Sequence, residues 1–204
     1  MVLAACSAGA EGRGTQAPVP EDLWQKMQGV SWHGDLPCPA REDLRLLTVP
    51  HVDFNGETRQ GQLIVAADVA EDMLDIMAAI HDAGFAIQRM RPVHEFRGDD
   101  GFSMAANNTS AFNCRVVAGT KRLSQHALGR AIDINPVQNP YVSGGRTSPS
   151  AGVDYDESAE RRASVKGVIV AGDAVVAAFT ARGWGWGGDW TSAKDYQHFS
   201  ENGR

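Results

Sequence analysis

The sequence is short of three things, and each shortage excludes a class of protein. It has no run of 18 apolar residues, and its most apolar stretch, Val168 to Ala181, is broken by Asp173, so a membrane-spanning helix is excluded. It has no excess of positive charge: 19 Lys+Arg against 25 Asp+Glu leave a formal net charge of −6, so a phosphate-backbone partner is disfavoured and no nucleic acid is expected. It has only 3 cysteines, too few for a disulfide-built fold. What is present is an ordinary globular mixture, 43% hydrophobic and 22% charged with 22 glycines, neither disordered nor fibrous. At about 150 residues per domain, the 204 residues imply one domain with a small appendage. A globule of this size buries roughly 70% of its unfolded surface and folds without a staple.

The appendage is expected at the start. Residues 1–20 are small, Gly/Ala/Pro-rich and without periodicity, which predicts a flexible leader and tether ahead of a domain over 21–204. Within it Leu3-Ala4-Ala5-Cys6 resembles the lipobox of bacterial lipoproteins, making Cys6 the expected lipidation site and the only expected link to a membrane. The basic n-region and the apolar h-region of about 7–15 residues are missing, so either the true start lies upstream or the match is chance.

Periodicity then predicts the elements. Pro20 to Gln28 reads as a short helix with acids in its first turn. Arg45 to Phe54 and Gln60 to Ala66 are β-type runs flanking Asn55-Gly56, a strong hairpin signal. Val69 to Ala83 puts Met73, Ile76, Met77 and Ile80 on one helical face, closed by Gly84. Phe85 to Val93 alternates as a strand, and Gly98 to Ala111 is polar and turn-rich. Ala131 to Asn135 is a short buried strand, Asn139 to Glu160 a long loop, Asp173 to Arg182 a helix ended by Gly183, and Tyr196 to Phe199 a last short strand. The fold class is α+β: a mostly antiparallel sheet with helices packed on one side.

The chemistry concentrates in Ser124-Gln125-His126-Ala127-Leu128-Gly129-Arg130-Ala131-Ile132-Asp133 and in Asp195-Tyr196-Gln197-His198. A His before a Gly turn and an Asp on the strand after it can point at one place. With His198 they form a three-ligand set for one Zn²⁺ ion that leaves a position open for water, the catalytic rather than the structural arrangement. Asp195 is then free to act as general base. Residues i and i+3 of a flat strand face opposite sides, so Asp195 has to precede the strand that carries His198. Competing readings fail on residue types. His94-Glu95 begins a His-Glu-x-x-His motif but Gly98 stands where the second His belongs, and Ser124, His126 and Asp133 lack the nucleophile elbow of a serine hydrolase. His33, His51, His81 and His94 lack ligand spacing and read as structural or surface residues.

Together, SxHxxGxAxD at Ser124 to Asp133, GWxWGGxW at Gly183 to Trp190 and DYQHF at Asp195 to Phe199 resemble the VanY-like zinc D-alanyl-D-alanine carboxypeptidases, a family that includes L-alanyl-D-glutamate peptidases. The resemblance extends over roughly Leu44 to Ser200 and implies the Hedgehog/DD-peptidase fold. It implies His126, Asp133 and His198 as zinc ligands, Asp195 as the catalytic acid–base, and Arg91, in Arg91-Pro92, as the group that steadies the substrate carbonyl, with Arg89 and Arg115 as competitors. Ser124 and Trp186 are the expected substrate-binding residues, although Trp186 is as readily a core residue. The implied activity is hydrolysis of peptidoglycan stem peptides by a monomer outside the cytoplasm, at the D-Ala-D-Ala bond or at the L-Ala-D-Glu bond, with a lean toward the carboxypeptidase. A non-catalytic zinc-containing cell-wall binding domain is a rival that retention of Asp195 argues against; a zinc amidase is another. With Cys6 set aside, an exported chain is expected to join Cys38 to Cys114 in one disulfide, two buried free thiols being the alternative.

Overall fold

Around Asn55-Gly56 two strands pair antiparallel from Leu44 opposite Ala66 to Val52 opposite Thr58 in the computed structural model, which describes residues 12–204. The chain opens with strand β1 (Thr15–Pro18) and helix α1 (Glu21–Met27), then forms β2 (Leu44–Val52) and β3 (Thr58–Ala66), an antiparallel hairpin. Gly56 turns it at φ +83°, a conformation open to glycine at little cost. Helix α2 (Ala70–Asp82) follows and buries Met73, Ile76, Met77 and Ile80, the predicted face, in one cluster with Leu47, Val49, Leu63 and Val65 of the hairpin. Each such side chain contributes about 1.5–3 kcal/mol on full burial.

The expected tether through residue 20 is corrected. β1 pairs antiparallel with the edge of β2, Thr15 opposite Thr48, and Arg13 reaches Glu71 and Asp75 of α2, so the described chain is anchored from residue 13 onward. Apolar periodicity was no guide there, because β1 is held by backbone pairing. Cys6 lies outside the described residues.

The rest is built of short pieces: β4 (Arg89–Met90), α3 (Asp100–Ala105), β5 (Asn108–Thr109), β6 (Ala131–Asp133), β7 (Tyr141–Ser143), β8 (Arg146–Ser148), α4 (Ala174–Thr180), β9 (Gly185–Trp186), β10 (Lys194–Asp195) and β11 (His198–Ser200). They make four small sheets rather than the expected single one: β1-β2-β3, β10-β7-β8, β6-β11-β9, and the parallel pair β4-β5. The α+β class holds, but the helices are not all on one side: α2 and α4 pack on one face of the hairpin and α1 on the other. The expected strand over Phe85 to Val93 shrinks to two residues, because beyond Met90 the backbone turns into a 3-10 segment at Val93–Phe96. The turn-rich Gly98 to Ala111 contains α3, capped by Asp99, whose carboxylate accepts from the Phe102 N–H at 2.9 Å. The long loop after Asn139 contains the β7–β8 hairpin and a 3-10 segment at Ser150–Tyr155.

Two clusters hold these layers. Phe179 of α4 stacks on Phe199 of β11, centroids 4.0 Å apart, and joins the α2 core. On the other side of the hairpin, Trp24, Met27, Leu44, Ile64 and Phe112 form a smaller cluster. It includes the Cys38–Cys114 disulfide, Cα atoms 6.0 Å apart, the pairing expected from the sequence. No described helix is long and apolar enough to cross a membrane.

Candidate active site

Three local devices converge on one point. Asp133 and His198 are directly opposite in the β6–β11 ladder, and residues opposed in an antiparallel pair share a face. His126 arrives from a 3-10 turn, His126–Leu128, that ends at Gly129 with φ +70°. A Cβ at Gly129 would meet the Ala66 backbone nitrogen at 2.5 Å, so glycine is required twice over, for its dihedral and for the approach to β3. Ser124 braces the turn: its Oγ accepts from the His126 N–H at 3.2 Å.

The result is a nearly equilateral triangle of donor atoms. His126 Nε2 is 3.2 Å from His198 Nδ1 and 3.3 Å from Asp133 Oδ1, and His198 Nδ1 is 3.1 Å from Asp133 Oδ1. Metal bonds of about 2.0–2.1 Å at tetrahedral angles put ligand atoms roughly 3.3 Å apart, so the triangle is one face of such a tetrahedron. His126 Nδ1 lies 2.6 Å from the Ala111 carbonyl, which can only accept; Nδ1 therefore carries the proton and Nε2 keeps its lone pair for the centre. Three donor atoms this close and so arranged fit a metal. Burial pushes the Asp133 carboxyl up, but the charges of His126 and His198 outweigh that and hold it far below the usual carboxylate range. Burial likewise pushes the His126 imidazole down, and Asp133 more than reverses it.

Asp195 opens onto the same cleft, a cavity of about 550 Å³. It lies on β10, ahead of β11, with Tyr196 and Gln197 turning between them, which resolves the facing problem of an acid three residues before a ligand. A Cβ at Gly187 would meet the Asp195 carbonyl at 2.5 Å, so the glycine-rich loop after Trp186 seats this strand. Burial raises the Asp195 carboxyl to about 6, and its Oδ1 has no hydrogen-bond partner. An enclosed carboxylate with an unused acceptor is suited to proton transfer.

Two expected residues are elsewhere. Arg91 follows the inward-facing Met90, so strand alternation turns it out; it is 60% exposed and bonds Glu95 at 2.8 Å, away from the cleft. Arg115, ion-paired with Asp100, lines the cleft instead. Trp186 is a core residue: β9 pairs it with Phe199, its ring stacks there, and its Nε1 donates to the Tyr196 carbonyl at 2.8 Å. Trp190 forms the aromatic wall, 5.5 Å from the His198 ring. Ser124 lines the cleft as expected, together with Arg122 and Tyr141, which carried no motif. His33, His51, His81 and His94 stay outside the donor cluster.

Residues 118–201 match the family model described as D-alanyl-D-alanine carboxypeptidase. The VanY-like family is thereby supported. The matched segment holds His126, Asp133, Asp195 and His198, and begins after both Arg91 and Arg115. No curated protein and no solved structure matches the chain. The peptidase assignment therefore stands on this segment and on the geometry it builds.

Proposed function

We propose that the protein is a zinc peptidase of the bacterial cell envelope that hydrolyses peptidoglycan stem peptides, with D-alanyl-D-alanine carboxypeptidase as its favoured activity. The observation that carries this reading is the donor triangle of His126, Asp133 and His198 sharing a cleft with Asp195. Two imidazoles and one carboxylate suit Zn²⁺ and leave a coordination position open. When bound, the ion supplies Lewis acidity, polarising a scissile carbonyl and lowering the pKa of water toward about 7. Asp195 accepts the proton of the attacking water and returns it to the leaving amine. Arg115 takes the part that sequence similarity gave to Arg91, facing negative charge as it develops on the carbonyl oxygen. Arg122, on the same wall, offers a second cation for a substrate carboxylate. The Cys38–Cys114 bond supports a location outside the cytoplasm. Muropeptides incubated with the zinc-loaded protein and analysed by mass spectrometry test the reading. Loss of one terminal alanine is expected. Release of the peptide beyond L-Ala would move the activity to the endopeptidase of the same family, and no cleavage would refute a peptidase.

A further inference from the structure

One half-buried cation is not explained by the site as described. Arg161 lies in the segment between β8 and α4, and its four hydrogen bonds all go to neutral oxygens. Nη1 donates to the carbonyls of Gln138 at 2.9 Å and Tyr155 at 3.0 Å. Nη2 donates to Asn139 Oδ1 at 2.9 Å and to the Ile169 carbonyl at 2.7 Å. The flat face of the guanidinium lies over the Tyr196 ring, 3.6 Å from its centroid. Burial pushes its pKa down to about 10, so it is still charged at neutral pH. Taking a guanidinium out of water with no carboxylate bonded to it is costly, and the π-face and fixed carbonyl dipoles offset that cost only if they are held in place.

The groups it holds bear on the catalytic acid from two directions. Tyr196 directly follows Asp195, and Gln138 and Asn139 lead into β7, whose Tyr141 is paired with Asp195. Between these, the Tyr196 N–H donates to the Pro140 carbonyl at 3.3 Å. We propose that Arg161 is a positioning residue that clamps the root of β7 to Tyr196 and thereby fixes where the Asp195 carboxylate sits. The inference rests on the reading of Asp195 as the base. The metal donors are placed by β6, β11 and the His126 turn, none of which Arg161 bonds, so the clamp should govern turnover more than metal binding.

The test uses the zinc-loaded full chain with Arg161→Met, Tyr196→Leu, their double variant, and Tyr196→Phe, which keeps the π-face. The first two are expected to lower kcat about 10–100-fold, the scale of a misplacement near 1 Å, with KM and bound zinc unchanged. The double variant should fall no further than either single one, because both break the same contact. Tyr196→Phe should retain kcat. Amide hydrogen exchange, which needs no activity, should quicken at residues 194–198 in Arg161→Met and stay unchanged in α2. Wild-type kcat in folded Arg161→Met, additive losses in the double variant, or unaltered exchange at 194–198 would each overturn the proposal. If Arg161→Met does not fold, the contrast between Tyr196→Leu and Tyr196→Phe decides. If the wild type cleaves no muropeptide while the exchange changes as expected, the peptidase reading falls and the clamp stands.

Discussion

The hairpin with its helix, residues 44–82, and the catalytic face, residues 108–200, are held together by different chemistry. In the first, nine-residue strands pair along their full length and an apolar helix face closes over them. In the second, strands are two or three residues long, and the loops between them are fixed by buried polar side chains. Asn135, at φ +45°, donates to the carbonyls of Ala86 and Gly167 and accepts from the Gln88 N–H. Asn139 donates to Ile134, Asn135 and Gly167 and accepts from Arg161 and Ile169. Burying apolar area stabilises without direction, whereas hydrogen bonds fix direction at a modest net gain. The site needs direction, so it is built of the second kind and leans on the first through contacts such as the Ala66 N–H to the Gly129 carbonyl, 3.0 Å.

Breaking the site should therefore leave the hairpin layer intact. His198→Ala removes one donor of three. Activity should fall to background and zinc should no longer co-purify, as metal analysis would report, while thermal unfolding still shows one folded domain. A fully zinc-loaded variant would remove His198 from the ligand set. Asp195→Ala should keep its zinc and lose about 10²–10⁴-fold in kcat. Its wild-type carboxyl, raised by burial to about 6, must be deprotonated to act as base. Turnover should therefore decline on the acid side, with a midpoint no higher than about 6, since a cation bound beside it favours the charged form.

The disulfide ties the segment ahead of the hairpin to the second region, closing a separation of 76 residues. Cys38→Ser with Cys114→Ser should cost about 2–5 kcal/mol of stability by denaturant titration. Because both cysteines pack beneath the hairpin rather than against the donors, kcat of the folded fraction should not move. The smallest effect is electrostatic. Asp75, hydrogen-bonded by Arg13 and Arg182, titrates below its ordinary 3.8. A carboxyl depressed in the fold contributes stability that is present above the unfolded value and is lost as pH falls through the folded one. Asp75→Asn should therefore be less stable than wild type by a constant margin above about pH 5, and the margin should close in stronger acid. A margin that widened there would reverse the sign of the interaction.

The same contrast explains what could be read from residues alone. Helix α2, the β2–β3 hairpin and α4 were legible because their apolar spacing repeats over a whole element. The donor set was legible for a different reason: His126, Gly129 and Asp133 are close in sequence, and Asp195 and His198 are closer still. The choice of Arg115 over Arg91 and of Trp190 over Trp186 was not, since Arg115 and Trp190 come to the cleft through an ion pair to α3 and through a turn whose register no spacing records. Arg91 and Trp186 carried the more suggestive motifs and were turned outward and into the core.

What the sequence determined by itself is the chemistry: two histidines, one aspartate and a spare acid in local patterns that bring donor atoms near a turn and a strand. What only the tertiary structure decided is which arginine, which tryptophan and which loop surround them. Local spacing is short-range and written in the chain, whereas the wall of a cleft is assembled from segments that meet only once the hairpin, its helix and the buried polar loops have packed.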